Sequence, residues 1–139
     1  MRVVAQTGLL LTAALFFSAC SVLPAKTDAD IVESRSALRL DALKKLDFEK
    51  AYSYMSPGYR SVKGLGRFKN ENAGAVNLLD FNVHTAKCVE DTCHVLVSSY
   101  YNIAIISPGF SAKKPFPIER ASEETWIRTD GKWWFVKGD

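Results

Sequence analysis

Four side chains that could bind a metal or form a covalent bridge lie within eleven residues of one another: His84, Cys88, Cys93 and His94. A structural zinc site needs four such ligands at about 2.0–2.3 Å from the ion, whereas a disulfide needs only the two cysteines. On a strand, which rises about 3.3 Å per residue, His84 lies roughly 13 Å from Cys88, and His94 points away from the face that holds Cys93. The spacing therefore favours a Cys88–Cys93 disulfide, and we expect no metal and no other cofactor.

The first nineteen residues have the layout of a secretory signal peptide. Arg2 precedes a short apolar run, and small residues come directly before Cys20. The run is shorter than the about 20 residues that a membrane-spanning helix needs. The segment Phe17-Ser-Ala-Cys20 resembles the lipobox of bacterial lipoproteins, with phenylalanine where leucine is usual. That resemblance implies cleavage after residue 19 and acylation of Cys20, whose acyl chains hold a protein stably on membrane lipid.

The lipobox resemblance divides the chain into a signal peptide (1–19), a lipidated cysteine with its tether (20–27) and one domain (28–139). Ser21 stands where an aspartate would favour retention at the inner membrane of enterobacteria. We therefore expect the protein on the outer membrane of a bacterial envelope, facing the periplasm, where the Cys88–Cys93 disulfide would persist. The alternatives are a plain signal peptide beside a coincidental cysteine, and an uncleaved anchor.

The composition is that of one folded domain. The chain has 139 residues, of which 47% are hydrophobic and 24% charged. This balance excludes a disordered tail, a collagen-like repeat and a protein with several membrane spans. The net charge of +3 is too small to argue for nucleic acid, and we expect no nucleic-acid partner.

Two helices are expected before residue 56. Thr27 or Asp28 can cap the first, whose apolar positions recur at helical spacing: Ile31, Leu38, Ala42 and Leu46. Asp47 can cap a second helix over 48–55, which Ser56-Pro-Gly58 would end. We expect 59–72 to be a loop with room for one helical turn.

The chain after residue 75 is rich in β-branched and aromatic residues. Strands are expected over 76–87, 94–106, 118–128 and 133–136. Asp130-Gly131 predicts a two-residue hairpin turn that places Arg128 opposite Trp133 and Ile127 opposite Trp134. Helices followed by a run of strands indicate an α+β fold with an antiparallel sheet.

Two segments carry a resemblance to nuclear transport factor 2-like (NTF2-like) proteins, also called SnoaL-like or cystatin-like: 41–59 and Asp-Gly-Lys-Trp-Trp at 130–134. The resemblance covers about 28–136 and implies a cone in which N-terminal helices pack on a curved antiparallel sheet, with a pocket between them. It makes eight aromatic residues candidates for the pocket wall, although each could equally belong to an ordinary core: Tyr52, Tyr54, Tyr59, Phe68, Phe81, Tyr101, Trp126 and Trp134.

Enzymes of this superfamily use a carboxylate or histidine in the cone, with a donor, often tyrosine, that polarises a carbonyl. The corresponding candidates are Asp80, His84 and Tyr101. If Cys88 pairs directly opposite Cys93, a regular ladder places Asp80 opposite Tyr101 and His84 opposite Val97. A slip of one residue would move every side chain to the other face.

Two charged segments have a simpler interpretation. Glu119, Glu123 and Glu124, beside Arg120 and Arg128, indicate a salt-bridged strand exterior. Four basic residues without an acid between them indicate a solvated loop, or a contact to anionic lipid headgroups: Arg60, Lys63, Arg67 and Lys69.

These features favour a membrane-anchored envelope lipoprotein that acts as a ligand-binding or protein-assembly module without catalysis. Its expected partners are membrane lipid through Cys20, an envelope protein or a small apolar ligand, and a second copy of the chain. The alternative is a small periplasmic acid–base enzyme, similar to an isomerase, dehydratase or hydrolase, with a pocket Asp or His and a Tyr.

Overall fold

The computed structural model describes residues 25–73, 76–103, 106–107, 110–111 and 116–138. The predicted signal peptide and Cys20 lie outside these residues. No helix within the described ranges is long and apolar enough to span a membrane.

Within the described residues, four helices precede six strands. The helices are α1 (Asp28–Lys44), α2 (Phe48–Ser53), α3 (Pro57–Val62) and α4 (Leu65–Asn72). The strands are β1 (Val76–Val89), β2 (Thr92–Ile103), β3 (Ile106–Ser107), β4 (Phe110–Ser111), β5 (Phe116–Thr129) and β6 (Lys132–Val136). The order of helices and strands is that of the predicted α+β fold.

Side-chain caps explain where the first two helices begin. Thr27 and Asp30 form a capping box, in which the backbone N–H of Asp30 donates to Thr27 Oγ1 at 3.2 Å and that of Thr27 donates to Asp30 Oδ2 at 2.8 Å. The Asp47 side chain accepts a hydrogen bond from the backbone N–H of Lys50 at 3.1 Å, as predicted for the cap of α2.

The prediction of a loop over 59–72 was wrong, because two helices lie there. Ser56 Oγ accepts a hydrogen bond from the Tyr59 backbone N–H at 3.2 Å, and Pro57 follows in the first helical turn. Serine followed by proline is therefore the start of α3 as well as the end of the preceding segment, since proline has no N–H to leave unpaired there. The helix α4 follows after Gly64.

The main sheet is antiparallel, with strand order β1-β2-β5-β6. Its β5–β6 hairpin has the predicted register, with Arg128 opposite Trp133 and Ile127 opposite Trp134. Asp130 and Gly131 adopt φ of 51° and 70°, the left-handed conformation that this two-residue turn requires.

The β1–β2 hairpin has the predicted pairing at its neck but not beyond it. Cys88 lies directly opposite Cys93, and their Sγ atoms are bonded. An irregularity between Val83 and Ala86 then shifts the ladder, so that Asp80 pairs with Tyr100 rather than Tyr101, and Val83 rather than His84 pairs with Val97. A second irregularity follows between Asp80 and Leu78. The predicted register failed because bulges insert extra residues into one strand without a clear sequence signal.

The helix α1 packs on the face of the sheet that carries the main apolar cluster, which we call the inner face: Cys93, Val95, Val97, Trp126 and Trp133. Among the predicted apolar positions of α1, Ala42 is buried, but Leu38 and Leu46 are 44% and 57% exposed. The helix instead buries Val32, Ser36, Arg39 and Leu40. The predicted face was therefore right at Ile31, which packs against the core, and at Ala42, but wrong at Leu38 and Leu46, because polar side chains take part in the contact.

Candidate functional site

A cavity of about 190 Å³ lies between the helices and the inner face of the sheet. Its apolar wall comes from Leu40, Leu43, Met55, Phe68 and Phe135. Its polar wall comes from Arg39, Asn72, Ser99, Tyr101, Ser122, Glu124 and Lys137. A cavity that combines an apolar wall with polar groups able to orient a bound molecule has the form of a small-molecule site.

The polar base of this cavity is a buried ion pair between Arg39 of α1 and Glu124 of β5. Glu124 Oε1 accepts from Arg39 Nη2, and Glu124 Oε2 accepts from Ser36 Oγ at 2.8 Å and from Trp126 Nε1 at 2.9 Å. The Arg39 guanidinium lies over the Phe135 ring, 4.0 Å from its centroid. The carboxylate is therefore held by three donors, as a buried charge requires.

Sequence reasoning missed this cluster and placed Glu124 on the strand exterior, which was wrong. Glu124 is 5% exposed, because it shares the inner face with Trp126, two residues further along β5. The helical periodicity of α1 could have revealed this cluster. Ser36 and Arg39 lie four and seven residues after Val32 and so share its helical face, and a buried arginine needs an acid.

Two of the eight aromatic candidates, Phe68 and Tyr101, line the cavity. Tyr52 and Tyr59 pack against Phe68, with ring centroids 5.4 and 6.4 Å away. Trp126 is fully buried in the main core, and Phe81 is half-buried against it. These rings support the cavity wall or fill the core.

The remaining aromatic candidates surround a second arginine. The Arg35 guanidinium lies 5.0 Å from the Tyr54 ring centroid and 5.7 Å from that of Trp134. The Arg60 guanidinium also lies over the Trp134 ring, 5.0 Å from its centroid. Burial lowers the pKa of Arg35 from its usual value. This cluster joins α1, α3 and β6 through cation–π contacts.

The structure does not bring Asp80, His84 and Tyr101 together. Tyr101 lines the cavity, whereas Asp80 is exposed and accepts a hydrogen bond from Lys44 Nζ at 3.1 Å, which lowers the pKa of that carboxyl. His84 is exposed, and its Nε2 lies 3.1 Å from the hydroxyl of Ser98, a residue on the opposite face of β2 from the cavity. A proton could not pass directly between these three groups, since such transfer needs hydrogen-bond contact.

The second histidine also lies away from the cavity. His94 Nδ1 is 3.2 Å from Glu123 Oε1. Among the described residues, no group of three or more His, Cys, Asp or Glu side chains is arranged to hold a metal ion. Cys88 and Cys93, the two cysteines weighed as zinc ligands, are bonded to each other in a disulfide.

A second cavity of about 260 Å³ adjoins the first, since Leu43, Asn72 and Tyr101 line both. Leu46, Phe48 and Leu78 supply most of its apolar wall. The Asn72 amide is fixed by a 2.7 Å hydrogen bond from its Nδ2 to the carbonyl oxygen of Phe68. The two cavities therefore adjoin along the three side chains that they share.

Glu71 lies at the edge of this second cavity and holds three cations. Lys63 Nζ is 2.9 Å from its carboxylate, Arg67 Nε 3.1 Å and Lys137 Nζ 3.4 Å. These hydrogen bonds, above all that of Lys63, lower the pKa of Glu71 to about 2. Since Lys137 also lines the first cavity, this cluster ties the end of the chain to α4 beside the cavity rim.

Most of the basic run is therefore paired. Lys63 and Arg67 contact Glu71, and Lys69 Nζ lies 3.1 Å from Glu49. The expected solvated loop is instead a pair of helices whose cations are partly neutralised.

Comparison with known proteins bears on the fold. A scan against models of protein families finds no match, and a search among curated proteins finds none. Two similar solved structures are SEC-C motif containing proteins. The one from Psychrobacter arcticus has a TM-score of 0.58 and 13% identity, over 81% of this chain and 62% of that protein. The one from Rhodopseudomonas palustris has a TM-score of 0.55 and 14% identity, over 79% and 75%.

A third similar structure is a protein of the NTF2-like family from Streptomyces avermitilis. Its TM-score is 0.54 at 14% identity, over 78% of this chain and 90% of that protein. At such low identity the likeness concerns the fold alone. The chain therefore has the α+β cone of NTF2-like proteins, in which helices cover one face of a curved antiparallel sheet.

Proposed function

We propose that this chain is a lipid-anchored protein of the bacterial envelope that binds a small, largely apolar molecule without chemical change. The observation that carries the proposal is the cavity between the helices and the inner face of the sheet, with its apolar wall and one buried ion pair. Such a cavity offers an apolar wall to a bound molecule and several polar groups to orient it.

The state of Glu124 supports binding rather than acid–base catalysis. A general base needs a free lone pair directed at the substrate. Three donors already bind Glu124, Arg39 at Oε1 and Ser36 and Trp126 at Oε2, so at most one lone pair, on Oε1, remains for a substrate proton. Asp80 and His84, the acid–base candidates of the alternative enzyme, do not line the cavity.

The anchor rests on the sequence of residues 1–20. Cells that express the chain with radiolabelled palmitate should incorporate the label into the wild-type protein and not into a Cys20→Ala variant. Equal labelling of both proteins, or none of either, would contradict the anchor. Cys88→Ala serves as a matched control, because it removes a different cysteine and should leave labelling unchanged.

Filling the cavity tests the binding site. Ser99 lines the cavity and is 2% exposed, while its neighbour Ser98 lies on the other face of β2. Native mass spectrometry of the full chain, extracted from its membrane, should show a bound small molecule with wild type and with Ser98→Leu. Ser99→Leu should lose it, because the larger side chain occupies the cavity. Retention by Ser99→Leu would place the bound molecule elsewhere.

A further inference from the structure

We propose that the cavity ligand is an uncharged molecule with a hydrogen-bond acceptor, such as a carbonyl oxygen, held at Arg39, and an apolar tail that passes Tyr101 into the second cavity. This inference rests on the proposed function and names the chemical class of its ligand. It follows from the charge balance of the two cavities, an unused donor at the base of the first, and the way the two adjoin.

The charged groups that line the two cavities balance. Within the described residues these are Arg39 and Lys137, which are positive, and Glu71 and Glu124, which are negative. Arg39 is paired with Glu124, and Lys137 with Glu71. A ligand carboxylate at the base would lie near Glu124, and a ligand ammonium would lie near Arg39. Either would add an unpaired charge beside Arg39 and Glu124, which are themselves only 7% and 5% exposed, and this is costly.

Among the described residues, the guanidinium of Arg39 at the base of the first cavity has more hydrogen-bond donors than acceptors. The Arg39 guanidinium lines the cavity, and within the described ranges it donates to Glu124 alone, through Nη2. The carboxylate of Glu124, in contrast, is used on both oxygens. A buried donor without a partner is unfavourable, and a ligand oxygen that reaches this guanidinium would remove that cost. Ser99, also buried in the wall, adds a hydroxyl that can donate to the same oxygen.

The second cavity provides the place for a tail. It adjoins the first at Leu43, Asn72 and Tyr101, and its wall continues with Leu46, Phe48 and Leu78. With volumes of about 190 and 260 Å³, the two spaces taken together reach the range typical of small-molecule sites, whereas neither does alone. An elongated molecule with one polar end therefore fits this pair of cavities better than a compact one.

Calorimetric titration of the full chain in lipid nanodiscs, with empty nanodiscs as the blank, tests the ligand class. The probes are hexanamide, hexanoate and hexylammonium, which share a chain length and differ in charge. Wild-type protein should bind hexanamide at least about tenfold more tightly than either charged probe. Butanamide should bind roughly tenfold more weakly than hexanamide, because it lacks two buried methylenes.

Arg39→Lys tests the role of the guanidinium, because it keeps a positive charge beside Glu124 and removes Nε. It should weaken hexanamide binding at least about fivefold and leave the ratio between hexanamide and butanamide unchanged. Arg120→Lys is the control, since Arg120 is exposed on the same strand as Glu124 and does not line the cavity. Thermal melting establishes that each variant is folded, and the comparison of probes on wild type needs no variant.

The outcomes separate the two proposals. Equal affinities for hexanamide and hexanoate, or a preference for a charged probe, would overturn the inference about ligand class and leave the binding function in place. Absence of binding by all the probes would contradict the binding function itself.

Discussion

The guanidinium of Arg39 and the carboxylate of Glu124 are nearly closed to water, with 9% and 5% of their side chains exposed. Removing two charges from water costs several kcal/mol per ion, so such a pair contributes little net stability even with good geometry. Breaking it is different, because one charge then stays buried without a partner. The pair is thus a strong constraint on which residues can replace either member.

Replacing one partner should therefore cost more than replacing both. We expect Arg39→Met to lower the free energy of unfolding by about 3–5 kcal/mol, because it leaves Glu124 buried and unpaired. Adding Glu124→Gln should recover about 1–3 kcal/mol, since the amide oxygen still accepts from Ser36 and Trp126. Urea denaturation at pH 7 measures both. Glu123→Gln, on an exposed neighbour, is the control.

A double variant as unstable as the sum of its two single variants would contradict the energetic coupling of Arg39 and Glu124.

The lowered pKa of Glu71 predicts that the stability of the fold decreases at acidic pH. Its pKa falls from 4.5 to about 2 in the folded protein, because Lys63, Arg67 and Lys137 bind the carboxylate. The stabilisation is therefore complete above pH 4.5 and is lost as the pH falls towards about 2. In Glu71→Gln, the urea midpoint should fall less steeply than in wild type across that window.

Glu49→Gln is the matched control for Glu71→Gln, because Glu49 pairs with Lys69 alone. It should change the pH profile less. Parallel profiles of wild type and Glu71→Gln between pH 4.5 and 2 would show that Glu71 does not make this contribution.

At the scale of elements, local sequence patterns predicted the hairpin turns. They did not predict the strand register beyond an irregularity or the buried face of α1. The register at Arg128 and Trp133 followed from the Asp130-Gly131 turn alone. Asp80 and His84 lie eight and four residues before Cys88 at the hairpin neck, so a regular ladder would pair them with Tyr101 and Val97. The irregularity between Val83 and Ala86 changed that pairing. Counting residues along a strand thus fails once an irregularity intervenes.

The face of α1 could not be found from apolar residues alone. Leu38 and Leu46 fit the helical period but are largely exposed, while Ser36 and Arg39 are buried. The reason lies 85 residues further along the chain, where Glu124 provides their partner. Tertiary pairing of polar groups therefore overrode the apolar pattern, and it also hid the polar base of the cavity from sequence analysis.

The hairpin of β1 and β2 yields a prediction about its disulfide. Cys88 and Cys93 close a loop with a sequence separation of 5, for which chain entropy predicts a stabilisation of about 2 kcal/mol. Reduction should lower the free energy of unfolding by about that amount and add the mass of two hydrogen atoms, since the reductant supplies two electrons and water two protons. An unchanged mass after treatment with reductant would show that the two thiols are not bonded.

At the scale of the whole molecule, the fold provides the enclosure. The helix α1 covers the inner face of the sheet, and the segment at Met55 adds a parallel bridge to Phe135 at the edge of β6. Met55, Phe68 and Phe135 thereby meet around one space. The cone and the aromatic wall followed from the NTF2-like resemblance, although only Phe68 and Tyr101 of the eight candidates line the cavity.

Several expectations about the whole molecule stay predictions. These are the acylation of Cys20, the outer-membrane location, the homodimer and the envelope partner. Residues 1–24 lie outside the described part of the chain, so the lipid anchor rests on the lipobox resemblance.

The central claim is that a small apolar molecule binds inside the cone, and Met55 reports on that space directly. Met55 is 1% exposed and lines the first cavity, and the sequence has only one other methionine, Met1. In a spectrum of the full chain labelled with ¹³C at the methionine methyls, a Met55→Leu variant assigns the signal. Titration with hexanamide should shift the Met55 signal saturably and produce an NOE from the probe to that methyl. A probe that binds while the Met55 signal stays in place would contradict the account.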